Sequence, residues 1–196
     1  MSLLDLLFPP KCPFCGKILN GALPLCDSCN KKLPFINGKA CAKCGKPLSE
    51  FSHYLCADCK SGKKYFVRSF VPLTYSSIAR QAAVRLKYYS HPYYAKAFAY
   101  LLADKILADM GDSDYFDFIT YVPQSKAIAR QRGYNQSKLI AKHLAGYLKL
   151  KVKDTLFRSN AGQRQATLNR AERLKNVKKS YGARNIPLQG NALLVD

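Results

Sequence analysis

The sequence predicts an α/β chain with a parallel sheet, preceded by a small cysteine-rich N-terminal domain. Three observations predict it. All eight cysteines lie between Cys12 and Cys59, as four Cys-x-x-Cys pairs. Beyond them, short apolar runs alternate with helix-period stretches in the order strand, basic loop, helix, strand, basic loop and helix, strand. The positive charge is concentrated in that second part, residues 61–196. The expected division is therefore residues 1–62 and residues 63–196.

The cysteine pairs are Cys12/Cys15, Cys26/Cys29, Cys41/Cys44 and Cys56/Cys59, with spacers of 10, 11 and 11 residues. They form an internal repeat. Cys12-Pro13-Phe14-Cys15-Gly16-Lys17 returns as Cys41-Ala42-Lys43-Cys44-Gly45-Lys46, and Leu25-Cys26-Asp27-Ser28-Cys29 as Leu55-Cys56-Ala57-Asp58-Cys59. Two such pairs supply four thiolates, the donor set of a closed tetrahedral Zn²⁺ site. Gly16 and Gly45 stand where a tight knuckle needs a residue without a Cβ. The repeat predicts two zinc ions bound sequentially, one per copy, both structural because each ligand sphere is complete. Disulfides would suit an exported chain, and nothing here reads as an export signal. A redox dithiol needs one reactive pair rather than four in register.

The formal net charge is +20. Eight thiolates and two Zn²⁺ would bring it to about +16. Residues 1–60 carry 8 Lys/Arg against 4 Asp/Glu, residues 61–150 carry 14 against 5, and residues 151–196 carry 10 against 3. Such a field implies polyanionic partners: phosphorylated metabolites, nucleic acid or acidic membrane. Residues 1–10 contain an apolar run that ends at Pro9-Pro10 and is too short for a signal peptide or a spanning helix. It is expected to form an amphipathic turn of helix. No transmembrane segment is expected anywhere, and unoxidised thiols fit the cytoplasm.

Ser61-Gly62-Lys63-Lys64 reads as a linker, and residues 65–75 as a strand or hairpin. Residues 76–88 read as a helix with Ile78, Ala82 and Leu86 on one face. Ser90-His91-Pro92 breaks it, and a second helix runs to about Met110. Tyr88, Tyr89, Tyr93 and Tyr94 fall on or beside the apolar stripe and are expected to pack as helix-interface aromatics rather than to stack on bases. Phe118-Ile119-Thr120-Tyr121-Val122 reads as a buried strand stopped by Pro123. A polar, basic turn follows (Gln124-Ser125-Lys126, then Arg130 to Gln136), and then a helix to about Lys149 with Ile140, Leu144 and Leu148 on its apolar face. His53, His91 and His143 are read as packed residues rather than ligands. Residues 150–157 read as one strand. Residues 158–167 read as a mobile stretch, and Asn169-x-x-Glu172 as a capping box opening a basic helix. Ala192-Leu193-Leu194-Val195 reads as a second buried parallel strand ending at Asp196. Ligands of such sheets bind at the carboxyl ends of the strands. The loop after Val122, the stretch after Arg158 and Asp196 are then candidates for one site, suited to a phosphorylated ligand with Mg²⁺.

Five stretches resemble the ComF-like family: Leu3-Leu4-Asp5-Leu6-Leu7-Phe8-Pro9-Pro10 running into the cysteines; Val84-Arg85-Leu86-Lys87-Tyr88; Val122-Pro123 with Arg130-Gln131-Arg132-Gly133-Tyr134-Asn135-Gln136-Ser137; residues 165–177, with Asn169-Arg170-Ala171-Glu172-Arg173 at their centre; and Leu193-Leu194-Val195-Asp196. That family joins a zinc ribbon, often doubled, to a type I phosphoribosyltransferase domain. The resemblance implies a pyrophosphate-binding loop from Pro123 to Gln136, with Pro123, Lys126, Arg130, Arg132, Gly133, Tyr134 and Asn135 contacting substrate. It implies a flexible closing loop from Arg158 to Arg173 that contributes Arg158 and Arg164. Asp196 would open the phosphoribosyl pyrophosphate motif. In the family that motif continues with a second acid and a Thr/Gly-rich loop for the 5′-phosphate. The domain is therefore expected to be incomplete at its C-terminus and this chain to be inactive as a transferase.

Two functions follow from that resemblance. One is a competence-type protein that handles single-stranded DNA in the cytoplasm beside the DNA-uptake machinery, its zinc ribbons and basic surface tracking the backbone, with Arg170, Arg173, Lys175, Lys178 and Lys179 on the phosphates and tyrosines stacking on bases. The other is phosphoribosyl transfer from phosphoribosyl pyrophosphate, with Mg²⁺, to an acceptor the residues do not identify.

Overall fold

The computed structural model describes residues 9–50, 53–62, 65–159 and 180–196. The expectations for the first eight residues, for Lys63-Lys64 and for the stretch 160–179 lie outside them. The chain divides into two compact units, 1–112 and 113–196. The expected domain boundary near residue 62 lies within the first of these units.

Each cysteine repeat is a knuckle followed by a short helix. In the first, Lys11 bridges Ile18 in antiparallel fashion. Cys12 N–H donates to Lys17 O and Gly16 N–H to Cys12 O, both at 2.8 Å. Cys26 then heads α1, Asp27–Lys32, with Asp27 in the first turn and Lys31 and Lys32 in the last, the charge order that complements a helix dipole. The second copy repeats this: Ala40 bridges Pro47, Gly45 N–H donates to Cys41 O at 2.9 Å, and Cys56 heads α2, Ala57–Ser61.

Residues 65–75 form no named strand, contrary to the alternation of their side chains. They run extended with their backbone groups tied to ribbon segments: Ser69 N–H to Lys43 O at 2.8 Å, Ile36 N–H to Pro72 O and Thr74 N–H to Pro34 O at 3.0 Å, around one bridge from Phe35 to Leu73. Pro72 has no N–H, so a continuous ladder is interrupted there.

The helices α3, Ser77–Tyr88, and α4, Ala95–Met110, form as expected. Ser90, at φ 54°, and a 3₁₀ turn, Pro92–Tyr94, reverse the chain between them. The small residues Ala79 and Ala82 of α3, and Ala95, Ala97, Ala99 and Ala103 of α4, are buried, with Leu86, Leu101 and Ile106 supplying bulk. Ala82, Ala97 and Leu101 join Cys12, Phe14, Leu25, Cys29 and Leu33 in one apolar cluster. The Phe14 and Phe98 rings meet edge-on at 6.0 Å, and Arg85 donates to Pro13 O at 3.4 Å. The second copy has a smaller cluster of its own: Cys41, Cys56 and Cys59 with Cys44, Leu48 and Leu55 against them.

In the second unit β1, Phe118–Tyr121, is buried at all four positions and forms the middle of a parallel sheet. On one side lies β2, Lys151–Val152, with Phe118 opposite Lys151. On the other lies β5, Ala192–Val195, in register from Phe118–Ala192 to Tyr121–Val195. The crossover from β1 to β2 runs through two helices, α5, Lys126–Arg132, and α6, Gln136–Leu148. Helix α6 buries Ser137, Ile140, Ala141, Leu144 and Leu148.

Three expectations from the sequence are corrected here. The basic stretch after Gln124 is helical rather than a turn: the Ser125 hydroxyl accepts from Ile128 N–H at 3.3 Å and starts α5, and Gly133 at φ 81° ends it. Residues 150–157 are not one strand. Lys153 N–H closes the parallel ladder on Ile119 O at 2.8 Å, and the chain then turns away. Its continuation, β3, Leu156–Arg158, pairs antiparallel with β4, Tyr181–Ala183. Finally, β5 is an edge strand among the described residues, buried only at Val195, while Leu194 is 52% exposed.

The turn between β2 and β3 is held by a buried pair of hydroxyls, Thr120 and Thr155, at 2.7 Å. Thr120→Val and Thr155→Val are each expected to destabilise the second unit by about 1–3 kcal/mol, because each strands the other hydroxyl. The double variant is expected to cost less than the sum of the two singles in urea unfolding. Strict additivity would mean that the two hydroxyls do not stabilise each other.

Candidate functional site

Eight free thiols converge into two groups, Cys12, Cys15, Cys26 and Cys29, and Cys41, Cys44, Cys56 and Cys59. Within each group the four sulfurs lie within 4.8 Å of one another. The grouping is sequential, one per repeat. A tetrahedral ion with Zn–S bonds of about 2.3 Å sets its sulfurs about 3.8 Å apart. Cys15 and Cys26 sulfurs are 3.6 Å apart and Cys44 and Cys56 sulfurs 3.7 Å. These separations fit a shared ion and are far longer than a disulfide bond, about 2.05 Å.

The electrostatics of each group favour a dication. The Ser28 hydroxyl, 3.3 Å from Cys26, is the largest influence holding that thiol down at about 6. Backbone N–H groups of Cys44 and then Cys56 hold Cys41 down at about 6. Burial, followed by Cys15 and Cys26, pushes Cys29 well up. Burial, followed by Cys44 and Cys56, pushes Cys59 up to about 12. One thiolate forms readily and its neighbours then resist ionising, until a cation joins them. The sites are compatible with two structural zinc ions, and all four positions of each are filled by protein sulfur, which leaves no place for a substrate.

The second candidate site lies at the carboxyl end of the parallel sheet. Val122 N–H donates to Val195 O at 2.9 Å, so Pro123 and Asp196 leave the sheet side by side. Lys126 and Arg130 are exposed on α5. Arg132 hydrogen-bonds to Gln136. Gln124 also pairs with Gln136. Asn135 caps α6 by accepting from Lys138 N–H at 3.0 Å and donates to Val122 O at 3.0 Å. It therefore fixes the exit from β1, a structural task. Gly133 supplies the left-handed turn before the half-buried Tyr134. Arg158 lies in β3 with its guanidinium 5.2 Å from the Tyr181 ring. Arg164 and the basic set Arg170, Arg173, Lys175, Lys178 and Lys179 lie outside the described residues. Sequence reasoning missed α5 and the Gln124–Gln136 partnership. Ser125 and Gly133, spaced as cap and stop, are the signal that finds the helix.

The expectation for the tyrosines is also corrected. Tyr94 is 4% exposed and packs as expected, but Tyr88, Tyr89 and Tyr93 are 68%, 64% and 45% exposed. Tyr94 is thus the ring that packs inward at this corner, beside the reversal at Ser90. His91 is a packed residue, its ring 5.0 Å from Tyr94 and 5.5 Å from Tyr93.

Residues 3–60 match the family model of the double zinc ribbon domain. Over 126 residues the chain is 27% identical to competence protein ComFC of Bacillus subtilis (strain 168), covering 61% of this chain and 51% of that protein. The chain thus spans about half the length of the curated relative it matches. No solved structure matches it. Among the described residues no helix is long and apolar enough to cross a membrane.

Metal analysis is expected to give two zinc ions per chain and Cys59→Ser to give one. A wild-type chain with a single zinc would overturn the assignment. The glycines separate two costs. Gly16 and Gly45 both hold left-handed φ, 78° and 71°, but a Cβ at Gly45 would also lie 2.7 Å from Val71 Cγ2, whereas at Gly16 it meets nothing within 4 Å. Gly16→Ala is expected to cost about 1–2 kcal/mol and Gly45→Ala more, read as faster zinc loss to a chelator.

Proposed function

This chain is ComF-like, with a double zinc ribbon at residues 3–60, and we propose that it handles single-stranded DNA in the cytoplasm during DNA uptake. The observation that carries this reading is the basic excess behind the ribbons: 24 Lys/Arg against 8 Asp/Glu in residues 61–196. Similarity to a competence protein supports the same reading. The ribbons serve as scaffold. The cations Arg170, Arg173, Lys175, Lys178 and Lys179 neutralise backbone phosphates, and released counterions drive binding without regard to sequence. Components of the uptake machinery are the expected protein partners.

A second reading is favoured by the parallel pairing of β1 with β5, which supports a phosphate site made by Pro123, Lys126, Arg130 and Asp196. On this reading the site serves phosphoribosyl transfer from phosphoribosyl pyrophosphate. Arg130, Arg132, Arg158 and Arg164 would offset the charge of the departing diphosphate, and the Gly133-Tyr134-Asn135 turn would shape the pocket. The carboxylate of Asp196 would face the ribose hydroxyls through Mg²⁺, whose bound chemistry is charge neutralisation of the diphosphate.

Fluorescence anisotropy with an oligo-dT strand over a salt series tests the first reading. Affinity is expected to fall steeply with salt. Replacing Arg170, Arg173, Lys178 and Lys179 by Ala is expected to flatten the slope by up to about 0.7 for each phosphate no longer neutralised. No binding at low salt, or a slope untouched by those four changes, would defeat it. Titration with phosphoribosyl pyrophosphate and Mg²⁺ tests the second. Asp196→Asn and Arg130→Ala are expected to weaken the wild-type heat, and equal heats in all three proteins would rule that site out.

A further inference from the structure

We infer that the corner between α3 and α4 is a base-stacking platform for single-stranded nucleic acid, made by Tyr88, Tyr89 and Tyr93. This rests on the single-stranded DNA reading above and gives it a location in the first unit. Exposed tyrosines scattered singly carry no meaning, but three within six residues on one reversal are a patch. The reversal is built, not frayed. Tyr89 N–H still donates to Arg85 O at 3.1 Å, Ser90 takes a left-handed φ of 54°, and Tyr94 N–H donates to His91 O at 3.1 Å. Tyr94 is buried beneath and anchors the corner. Tyr93 stands on it edge-on at 4.7 Å and its hydroxyl shares a hydrogen bond with His91 Nδ1 at 3.2 Å. Tyr93 is therefore an oriented ring with an open face, not a swinging side chain. Its desolvation, and then Tyr94, push the phenol up to about 12.

Charge selects the occupant. From residue 59 to residue 103 the sequence contains no Asp or Glu, while Lys87 and Lys96 flank the three rings in sequence. An apolar protein partner does not require the surroundings of a patch to be free of carboxylates, and a polyanion with flat bases does. Every base has a π-face, so stacking of this kind tolerates any sequence, as a protein that handles incoming strands requires.

The test compares the wild-type chain with Tyr88→Ala/Tyr89→Ala/Tyr93→Ala and with the corresponding triple Phe variant. Two probes of equal length are used, an oligo-dT strand and an abasic strand with the same backbone. The wild type is expected to bind oligo-dT more tightly than the abasic strand. The Ala variant is expected to bind oligo-dT about 10- to 100-fold more weakly and to lose that preference, with an unchanged salt slope and two zinc ions retained. The Phe variant keeps its rings but loses the Tyr93–His91 hydrogen bond, and it is expected to retain the preference for oligo-dT with binding closer to wild type than to the Ala variant. An Ala variant that keeps the wild-type preference for oligo-dT overturns the platform while leaving DNA binding in place. A Phe variant as weak as the Ala variant overturns stacking as the interaction. A wild type that binds neither probe overturns the platform together with the reading it rests on.

Discussion

Convergence of four thiols onto one point, repeated twice, is the constraint on which the first unit depends. Each ribbon has little else. The second copy gathers three cysteines with Leu48 and Leu55, far below what a segment of that size needs to fold unaided. The first copy solves the shortage differently, by lending its cysteines and Phe14 to the cluster that also contains Ala82, Ala97 and Leu101. Its metal site and the packing of α3 and α4 consequently share one apolar cluster, whereas the second site leans on the segment 65–75 through Ser69 and Val71. Two sites built from one sequence repeat thus differ in what packs against them.

In the second unit the comparable role belongs to β1. Buried along its length and paired on both sides, it determines which chain segments leave the sheet together. Parallel pairing with β5 brings Val122, Pro123 and Asp196 to one end. Asn135 then ties the N-terminus of α6 back to Val122. The candidate anion site is thereby supported by backbone register and a helix cap, and Lys126 and Arg130 are exposed on a short helix.

The chemistry of the two units is complementary in kind. Sulfur-saturated metal sites offer stability and no open coordination position. The first unit also carries exposed aromatic rings at Tyr88, Tyr89 and Tyr93, whereas the second unit offers the exposed cations Lys126 and Arg130. The resemblance to a competence protein supports the proposed function without supplying residues for it.

Periodicity and spacing by themselves determined much of this protein. The cysteine repeat prescribed two sequential four-sulfur sites, because ligand count and loop length leave few alternatives. The apolar stripes prescribed α3, α4 and α6, and the β-branched run prescribed β1, since these patterns are local. What only tertiary structure decided was every matter of partnership. Residues 150–157 alternate like one strand, yet Thr155 is drawn to Thr120 and splits them between two sheets. Residues 65–75 also alternate, yet their hydrogen bonds go to ribbon segments and Pro72 interrupts any ladder. The tyrosines from Tyr88 to Tyr93 look like stripe residues in sequence, but of the rings at this reversal it is Tyr94 that is buried. A sequence records which faces are apolar. It does not record which of those faces the tertiary packing will cover, and here packing covered Tyr94 and left Tyr88, Tyr89 and Tyr93 exposed.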